Sequence, residues 1–284
     1  MRRKVMKDSR HIVSRSISMI LIAVLLIAAI YPVLWLILCT FKTQTEFTMN
    51  SAFSLPKSFN FENYIKAWNT GNMGTSFVNS IICTAGSMLL IVITAVPLSF
   101  ALAKMKWKHR SNINRYILIG MMVPIQVALI PLFTIYNKIG FTNSRIGLIL
   151  IYTAYSLPLS VTLLTGFFES VPNEMIEAAV IDGCIIYQVV GKIVFPLMTN
   201  SIMTVLTLQF MSSWNDLIFS QTMISKTEMQ TIPTALIMFN GSYGQVDWGP
   251  LFAAMAIAVV PTLVLYMFLS KFMIRGLTAG AIKG

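Results

Sequence analysis

The sequence predicts an all-α polytopic membrane protein with six transmembrane helices and both termini in the cytoplasm. Of its 284 residues, 56% are apolar and only 11% are charged, whereas an average soluble domain carries about 25% charged residues. Such a chain cannot cover a soluble globule with charge, and a disordered chain would need low hydrophobicity and high charge. The composition therefore argues against a soluble enzyme, and the distribution of basic residues orients the helices.

Six windows are apolar and free of charge over the roughly 20 residues that a helix needs to cross a bilayer. The predicted spans are 16–41, 67–103, 116–137, 146–168, 193–215 and 248–270. A seventh window, 229–246, is apolar only from Ile232 to Phe239, so we expect a loop with a short re-entrant or interfacial piece. The first window is longer than the apolar region of a signal peptide and lacks an A-x-A-like cleavage site, which predicts an uncleaved first helix.

The basic residues lie mainly on one side of the predicted membrane. With the N-terminus in the cytoplasm, the inner segments hold 15 Lys and Arg residues and the outer segments hold six. This positive-inside bias places both termini in the cytoplasm. It also accounts for the net charge of +11, so no nucleic-acid partner is expected.

We expect a single six-helix transmembrane domain over 16–272, between a basic cytoplasmic N-terminus (1–15) and a cytoplasmic tail (273–284). One outer loop also carries a helical pattern. Its apolar residues recur at i, i+3, i+4 and i+7, namely Phe61, Tyr64, Ile65 and Trp68. This spacing predicts a short amphipathic helix at the outer membrane interface.

The sequence has few residues that could act in catalysis or bind a metal or a nucleotide. The three cysteines lack the paired spacing of a disulfide framework or a zinc site, and neither histidine lies in a predicted span. Converging catalytic groups are therefore missing. The pair Gly191-Lys192 is followed by Ile193, and Ile186 stands where a P-loop requires glycine. The sequence predicts no catalytic residue, no metal site and no cofactor bound by this chain.

The segment 169–196, between predicted spans four and five, carries a helix–turn–helix pattern. Pro172 and the acidic residues after it suit the first turn of a helix. Gly183 suits its end, because glycine adopts positive φ without a steric clash. A second short helix is predicted from about 185 to 194, before Pro196 breaks it at the membrane surface.

The same segment resembles the EAA loop of bacterial ABC importer permeases. The sequence reads Glu177-Ala178-Ala179, three residues, Gly183, nine residues, Ile193, one residue, Phe195-Pro196; the family pattern has Leu where this chain has Phe195. In that family the loop docks on a separate ATPase, and small alanines would suit a close approach. The resemblance implies that the coupling residues are Glu177, Ala178, Ala179, Asp182, Gly183, Ile193 and Pro196.

Other parts of the chain resemble the carbohydrate (maltose-type) subfamily, and the tail resembles that of the smaller of its two permease subunits. These parts are Tyr31-Pro32, Phe41-Lys42-Thr43, Asn63-Tyr64, Asn79-Ser80, Leu157-Pro158, Trp214-Asn215-Asp216 and the tail from Arg275 to Gly284. The resemblance implies a multi-pass protein of the bacterial inner membrane that translocates a carbohydrate, with an oligosaccharide as the expected solute. A phosphorylated polyol stays open as an alternative solute.

The implied partners are a second homologous permease, two ATPase subunits that bind ATP and Mg²⁺, and an external solute-binding protein. An ion-coupled secondary transporter of a small polar solute is the alternative function. Such transporters usually show inverted repeats and paired intramembrane charges. Here Asp216 is the one intramembrane ionisable candidate, and no matching half is visible in the sequence.

Predicted span five is unusually polar. Gln209, Ser213, Asp216 and Ser220 recur at i, i+4, i+7 and i+11, which predicts a single helix face. Polar groups in a membrane usually face a bundle interior or a cavity, and such groups can pair with sugar hydroxyls. The candidate pathway residues are Gln209, Ser213, Asn215, Asp216, Tyr152 and Tyr155. Hydrogen bonding between neighbouring helices is the alternative role of these residues.

Overall fold

The structure is a computed structural model that describes residues 2–239, 241 and 245–281. Its α-helices are, in chain order, α1 (Arg2–Cys39), α2 (Gln44–Met49), α3 (Glu62–Thr70), α4 (Met73–Lys104), α5 (Arg110–Met122), α6 (Ile125–Lys138), α7 (Arg145–Glu169), α8 (Asn173–Ile181), α9 (Ile186–Gln188), α10 (Phe195–Leu197), α11 (Thr199–Trp214), α12 (Ile218–Met223), α13 (Ile232–Leu236) and α14 (Trp248–Ala281). A π-helical turn, Val189–Val194, connects α9 to α10. Short 3₁₀ turns precede and follow α13.

Within the described residues, four unbroken helices are long and apolar enough to cross a membrane. They are Arg15–Cys39, Met73–Lys104, Arg145–Glu169 and Trp248–Phe268. Two further spans are bent pairs: α5 and α6 meet at 101°, and Ile186–Leu197 and α11 meet at 79°. The all-α membrane fold is thus confirmed. The count of six spans holds when each bent pair is one span, but the third and fifth predicted spans are not single helices.

The bend between α5 and α6 follows from Pro124. A proline disfavours the helical conformation in the residue before it, and Val123 is extended, with φ −79° and ψ 113°. Pro124 also lacks the N–H that would continue the helical hydrogen bonds. The apolar pattern runs through this break, so hydropathy alone does not reveal it.

Helix also reaches into the predicted terminal segments. α1 begins at Arg2 and α14 continues to Ala281, so most of the predicted N-terminal segment 1–15 and most of the predicted tail 273–284 are helical. The last part of that tail, residues 282–284, lies outside the described residues.

The chain forms two compact units. The first comprises the chain up to Thr70 together with Phe239–Ile257, and the second comprises Gly71–Met238 together with the chain from Ala258. The candidate site described below lies entirely in the second unit.

In the first unit, a buried amide joins α3 to the end of α1. The Nδ2 of Asn63 donates to the carbonyls of Thr40 at 2.7 Å and Lys42 at 2.8 Å. The hydroxyl of Tyr64 donates to Oγ1 of Thr40 at 3.1 Å. Gly249 lies against Asn63, and a Cβ at Gly249 would come within 2.5 Å of the Asn63 Oδ1. Glycine is therefore required there by this close approach.

The predicted outer-loop helix is present as α3, although Phe61 precedes its first residue. Phe61, Ile65 and Trp68 are exposed, whereas Tyr64 is only half-buried and bonds to α1. Tyr64 therefore does not share the exposed apolar stripe that the spacing predicts. The position of this stripe at the membrane interface stays a prediction.

Helix α2 begins with a capping box formed by Thr43 and Glu46. The carboxylate of Glu46 accepts hydrogen bonds from the backbone N–H groups of Thr43 and Lys57, both at 2.8 Å. These bonds, that of Thr43 first, lower the pKa of Glu46 below its ordinary value, because they favour the charged carboxylate.

In the second unit, α4 and α7 pack along each other, with α11 against both. Their buried contacts include Ile91, Val96, Phe100, Val161, Leu164, Phe168, Ile202 and Val205. At one end of the pair, Nε of Arg145 donates to Oδ1 of Asn79 at 2.7 Å. The Nδ2 of Asn79 donates in turn to the carbonyls of Glu228 and Gln230. Asn79 thus joins α4, α7 and the chain after α12.

The seventh apolar window forms α13 and a 3₁₀ turn rather than a span, as predicted. Ile232 and Ala235 are fully buried, and the N–H of Ile232 donates to Oγ of Ser80 at 2.9 Å. Ile232 and Ala235 are therefore part of the packed interior of the second unit.

We expect Asn63→Ala to lower the free energy of unfolding by about 1–3 kcal/mol, because two buried carbonyls lose their donor. Thermal unfolding of the purified protein in detergent measures the loss. Asn69→Ala is the matched control, since Asn69 lies on the same helix and is exposed. Equal unfolding temperatures for the two variants would contradict the role of Asn63.

We expect the stabilisation from Glu46 to depend on pH. Because its folded-state pKa is lowered, the contribution is present above the unfolded value of about 4.3 and is lost as pH falls through the folded value. Glu46→Gln should therefore unfold at a lower temperature than the wild type at pH 7. The gap between the two unfolding temperatures should narrow on acidification below about pH 4.3; a gap that does not change with pH would refute this.

Candidate functional site

The first arm of the predicted helix–turn–helix is α8, and its end has the expected geometry. Gly183 adopts φ +85°, a conformation that costs residues with a side chain roughly 1–2 kcal/mol. The N–H of Cys184 donates to the carbonyl of Ala179 at 3.0 Å. The N–H of Gly183 donates to the carbonyl of Val180, also at 3.0 Å. These two bonds form a Schellman motif, which ends the helix and reverses the chain.

The second arm is longer than predicted. α9, the π-turn and α10 reach Leu197, so the prediction that Pro196 breaks this helix was wrong. The N–H of Phe195 donates to the carbonyl of Val190, five residues earlier. Pro196 lies in the first turn of α10, where the missing N–H costs little. The chain bends after Leu197 instead, where α11 begins.

The turn between the two arms presents an apolar surface outward. Ile181 is 85% exposed and Tyr187 is 82% exposed, and Val180 and Ile185 are exposed beside them. Exposed apolar groups that lie together typically mark an interaction surface. We name these four residues the loop patch.

The predicted coupling residues divide between the two sides of this loop. Ala179 is 5% exposed and packs in the core with Val189, and Ile193 is half-buried against the same core. The small size of Ala179 therefore serves packing inside this chain. The others are exposed: Glu177, Ala178, Asp182, Gly183 and Pro196.

Lys104, the last residue of α4, holds the base of the loop. Its Nζ donates to the carbonyl of Val171 at 2.6 Å and to Oδ1 of Asn173 at 2.9 Å. It also lies 3.4 Å from the carbonyl of Glu169. The ammonium group of Lys104 lies beside the C-terminal end of α7. A positive charge there suits the unpaired carbonyls and the negative end of the α7 dipole. Sequence reasoning counts Lys104 only among the inner positive charges, and no pattern marks its partners.

Gln209 of α11 is at the centre of a buried polar network. It is 2% exposed. Its Nε2 donates to Oγ of Ser213 at 2.9 Å and to Oγ of Ser87 at 3.1 Å, and lies 3.5 Å from the carbonyl of Tyr152. Its Oε1 is buried and has no hydrogen-bond partner in the part of the chain that the structure describes. The amide therefore has one free acceptor.

Asp216 belongs to a second network. The hydroxyl of Tyr152 donates to Oδ2 of Asp216 at 3.0 Å. The same carboxylate accepts the backbone N–H of Phe219 at 3.3 Å and that of Ser220 at 2.9 Å. Asp216 thus caps the start of α12 and links it to α7.

The predicted single polar face over 209–220 was wrong. α11 ends at Trp214, and Nδ2 of the exposed Asn215 donates back to the carbonyl of Met211 at 2.9 Å. Asn and Asp compete with helical hydrogen bonds and favour helix ends, so this pair stops the helix. Only Gln209 and Ser213 share α11.

A cavity of about 200 Å³ lies among α5, α7 and α11; we name it the α7–α11 cavity. Five polar side chains line it: Tyr155, Ser156, Ser160, Gln209 and Ser212. The rest of the lining is apolar or glycine. Of the predicted pathway residues, the cavity therefore brings together Tyr155 and Gln209. The others do not line it, namely Tyr152, Ser213, Asn215 and Asp216.

Comparison with known proteins places the chain in a family. Residues 95–278 match the family described as binding-protein-dependent transport system inner membrane component. The probable ABC transporter permease protein YurM of Bacillus subtilis (strain 168) is 33% identical, over 91% of this chain and 85% of YurM. The trehalose/maltose transport system permease protein MalG of Thermococcus litoralis is 30% identical, over 97% of this chain and 99% of MalG.

The fold has a counterpart among solved structures. A bacterial ABC transporter involved in the import of the acidic polysaccharide alginate matches with a TM-score of 0.79 and 20% identity, over 90% of this chain and 94% of that one. Neither comparison favours an ion-coupled secondary transporter. With the family matched over more than half of its length, this chain belongs to the binding-protein-dependent transport family, as a multi-pass inner membrane permease component of an ABC transporter.

Proposed function

We propose that this chain is the subunit of an ATP-driven importer that conducts a carbohydrate, delivered by an external solute-binding protein. We propose further that the segment 169–196 couples it to a separate ATPase. The observation that supports this coupling is the loop patch, an exposed apolar surface on a loop whose other side is packed into the core.

The inner side of the segment 169–196 packs against α7 and α11, so the segment can transmit a displacement to both helices. On its inner side, Ala179, Val189 and Val194 pack in the same core as Phe168 of α7 and Ile202 of α11. Closely packed interiors transmit displacement instead of absorbing it. A push on the loop patch therefore moves α7 and α11 as rigid bodies, which is how packed helices switch between discrete arrangements.

The expected topology and the sequence support proposals for the other subunits of the transporter. The excess of positive charge in the predicted inner segments supports a cytoplasmic position for this loop and for both termini, where the ATPase would dock. Because the chain has no P-loop, ATP and Mg²⁺ would be bound by two ATPase subunits. A second, homologous permease would complete the membrane channel. The coupling residues proposed for this chain are Glu177, Ala178, Ala179, Asp182, Gly183, Ile193 and Pro196.

The solute is proposed to be an oligosaccharide. The name of the Thermococcus relative specifies trehalose and maltose, and the outer loops and tail resemble the carbohydrate subfamily. The polar side chains around the α7–α11 cavity are neutral hydroxyl and amide groups, which can bond sugar hydroxyls.

We expect Ile181→Asp to release the ATPase, because a carboxylate in the loop patch would lose its hydration in an apolar interface. The chain is purified from its native membrane in mild detergent, and co-purifying proteins are identified. Ile181→Val, which keeps the apolar surface, is the matched control and should retain both the ATPase and the second permease. Retention of the ATPase by Ile181→Asp would contradict the proposed docking surface.

We expect Lys104→Met to weaken coupling without abolishing assembly. The variant removes charge-assisted hydrogen bonds to the loop base, each worth about 1.5–3 kcal/mol, so solute uptake per ATP hydrolysed should fall about tenfold. Lys106→Met is the matched control, since Lys106 is exposed two residues later. Uptake and ATP hydrolysis are measured together in proteoliposomes, and equal ratios for both variants would refute the positioning role of Lys104.

A further inference from the structure

We infer that the segment 50–61, between α2 and α3, inserts apolar side chains into the edge of the lipid bilayer beside the end of α1. We name residues 50–61 the outer segment. The partner of this surface is the acyl chains of one leaflet. The inference concerns how the chain is seated in the membrane, so it depends neither on the solute nor on coupling to an ATPase.

The outer segment exposes large apolar side chains and carries little charge. Phe53 is 73% exposed and Phe59 is 75% exposed, and Leu55 is exposed between them in the sequence. Lys57 is the only charged residue from 50 to 61. Several large apolar side chains exposed within so short a segment mark contact with another molecule or with a membrane.

Two hydrogen bonds set the level of the outer segment along α1. The Nε1 of Trp35 donates to the carbonyl of Ala52 at 3.2 Å, and Nζ of Lys42 donates to the same carbonyl at 3.1 Å. Trp35 precedes the end of α1 at Cys39 by about 6 Å along the helix axis. Side chains in a helix lean toward its N-terminus. Ala52 is therefore held level with Trp35, about one turn before the end of α1.

This level coincides with the edge of the hydrocarbon. The span Arg15–Cys39 has 25 residues, which corresponds to about 37 Å of helix. The hydrocarbon core is about 30 Å thick, so a centred span places Trp35 about 2–3 Å inside its edge. Phe53 and Leu55 follow Ala52 at this level. A water-soluble protein that docks from outside does not reach it, whereas acyl chains lie beside it.

The apolar surface of the outer segment continues that of α1. In the described structure, the 18-residue apolar window of the first span is not buried at all, and Leu34 and Ile37 near its end are exposed. Phe41, just beyond α1, contacts Phe59 and Phe61 edge-on, with ring centroids 5.2 and 5.3 Å apart. These contacts join the apolar side chains of the outer segment to the end of a membrane span.

The backbone of the outer segment is paired in the way that an irregular chain beside hydrocarbon requires. A carbonyl has two acceptor sites, and that of Ala52 accepts the two bonds described above. The N–H of Ser54 donates to the carbonyl of Ser51 at 3.0 Å. The N–H of Lys57 donates to the carboxylate of Glu46 at 2.8 Å. Unpaired backbone groups cost several kcal/mol where water is absent, and these bonds avoid that cost.

Lys42 keeps its charge out of the apolar surface. It is fully buried, and its Nζ also lies 3.4 Å from Oγ of Ser54 and 5.6 Å from the ring centroid of Phe47. A buried ammonium needs such hydrogen-bond acceptors and aromatic faces. Lys42 and Trp35 are therefore positioning residues, and the side chains that enter the lipid are those of Phe53, Leu55 and Phe59.

The test measures the depth of single nitroxide labels in a bilayer. The chain is purified from its native membrane in mild detergent with the subunits that accompany it, and is reconstituted in vesicles of phosphatidylethanolamine and phosphatidylglycerol. Cys39 and Cys83 are buried, so Cys184→Ser leaves no accessible native thiol. Phe53→Cys and Leu55→Cys then each place one label in the outer segment.

Power-saturation EPR compares collisions of the label with oxygen and with a water-soluble nickel chelate. Oxygen is apolar and concentrates in hydrocarbon, whereas the chelate is excluded from it. We expect the oxygen-to-nickel ratio at both labels to be about fivefold higher than at Lys226→Cys. Lys226 is an exposed residue between α12 and α13, and its label serves as the aqueous reference.

A second variant tests what holds the segment at this level. Trp35→Phe, in the Phe53→Cys background, keeps an aromatic ring against Phe252 and removes only the N–H donor. We expect it to lower the oxygen-to-nickel ratio about twofold to tenfold, as the loss of one hydrogen bond allows. Tyr31→Phe, an exposed aromatic one turn earlier on α1, should leave the ratio unchanged. A ratio unchanged by Trp35→Phe would overturn the positioning role of Trp35.

The other outcomes decide the insertion itself. Labels in the outer segment that collide with the nickel chelate as often as the Lys226→Cys label does would overturn it. Labels that neither reagent reaches, or whose accessibility changes when a solute-binding protein is added, would assign the segment to a protein contact and overturn it as well. Uptake is not part of the readout. Failed uptake would therefore refute the proposed function and leave the insertion standing, and the reverse holds for an aqueous label.

Discussion

Two long helices, α4 and α7, must stay in register along most of their length, because polar contacts fix both ends of the pair and apolar packing fills the space between them. At one end Arg145 bonds to Asn79, and at the other Lys104 bonds to the carbonyl of Val171. A helix pair fixed in this way cannot slide without breaking charge-assisted hydrogen bonds. The loop, the cavity and the broken fifth span are all built on this pair.

Features that depend on hydropathy and on residue-specific backbone preferences can be predicted from the sequence. Apolar length gives the spans, and the positive φ of Gly183 follows from a preference that glycine alone satisfies at no steric cost. The helix–turn–helix is predictable for the same reason, since its start and its turn depend on local residues. The family pattern adds the role proposed for this loop, because the spacing around Gly183 is specific.

Features that depend on long-range hydrogen bonds are not predictable in this way. Asp216 lies at helical spacing from Gln209, yet its carboxylate caps α12 and accepts from Tyr152, 64 residues away. The helix through Pro196 continues because a π-type bond from Phe195 to Val190 accommodates the chain there, and hydropathy does not encode that bond. The partners of Lys104 are likewise carbonyls, which carry no residue identity in the sequence.

The loop and the α7–α11 cavity share the same two spans, and under the proposed function this sharing gives a physical route from the ATPase to the solute. Phe168, in the last turn of α7, packs in the core that includes Ala179 of the loop, while Tyr155 and Ser160 of α7 line the cavity. On α11, Val205 belongs to that core and also lines the cavity. A displacement of the loop relative to α4 must therefore shift two walls of the cavity together. Under the proposed function, the affinity for solute and the docking of the ATPase are therefore linked through one set of packed side chains, as reciprocal coupling between two sites requires.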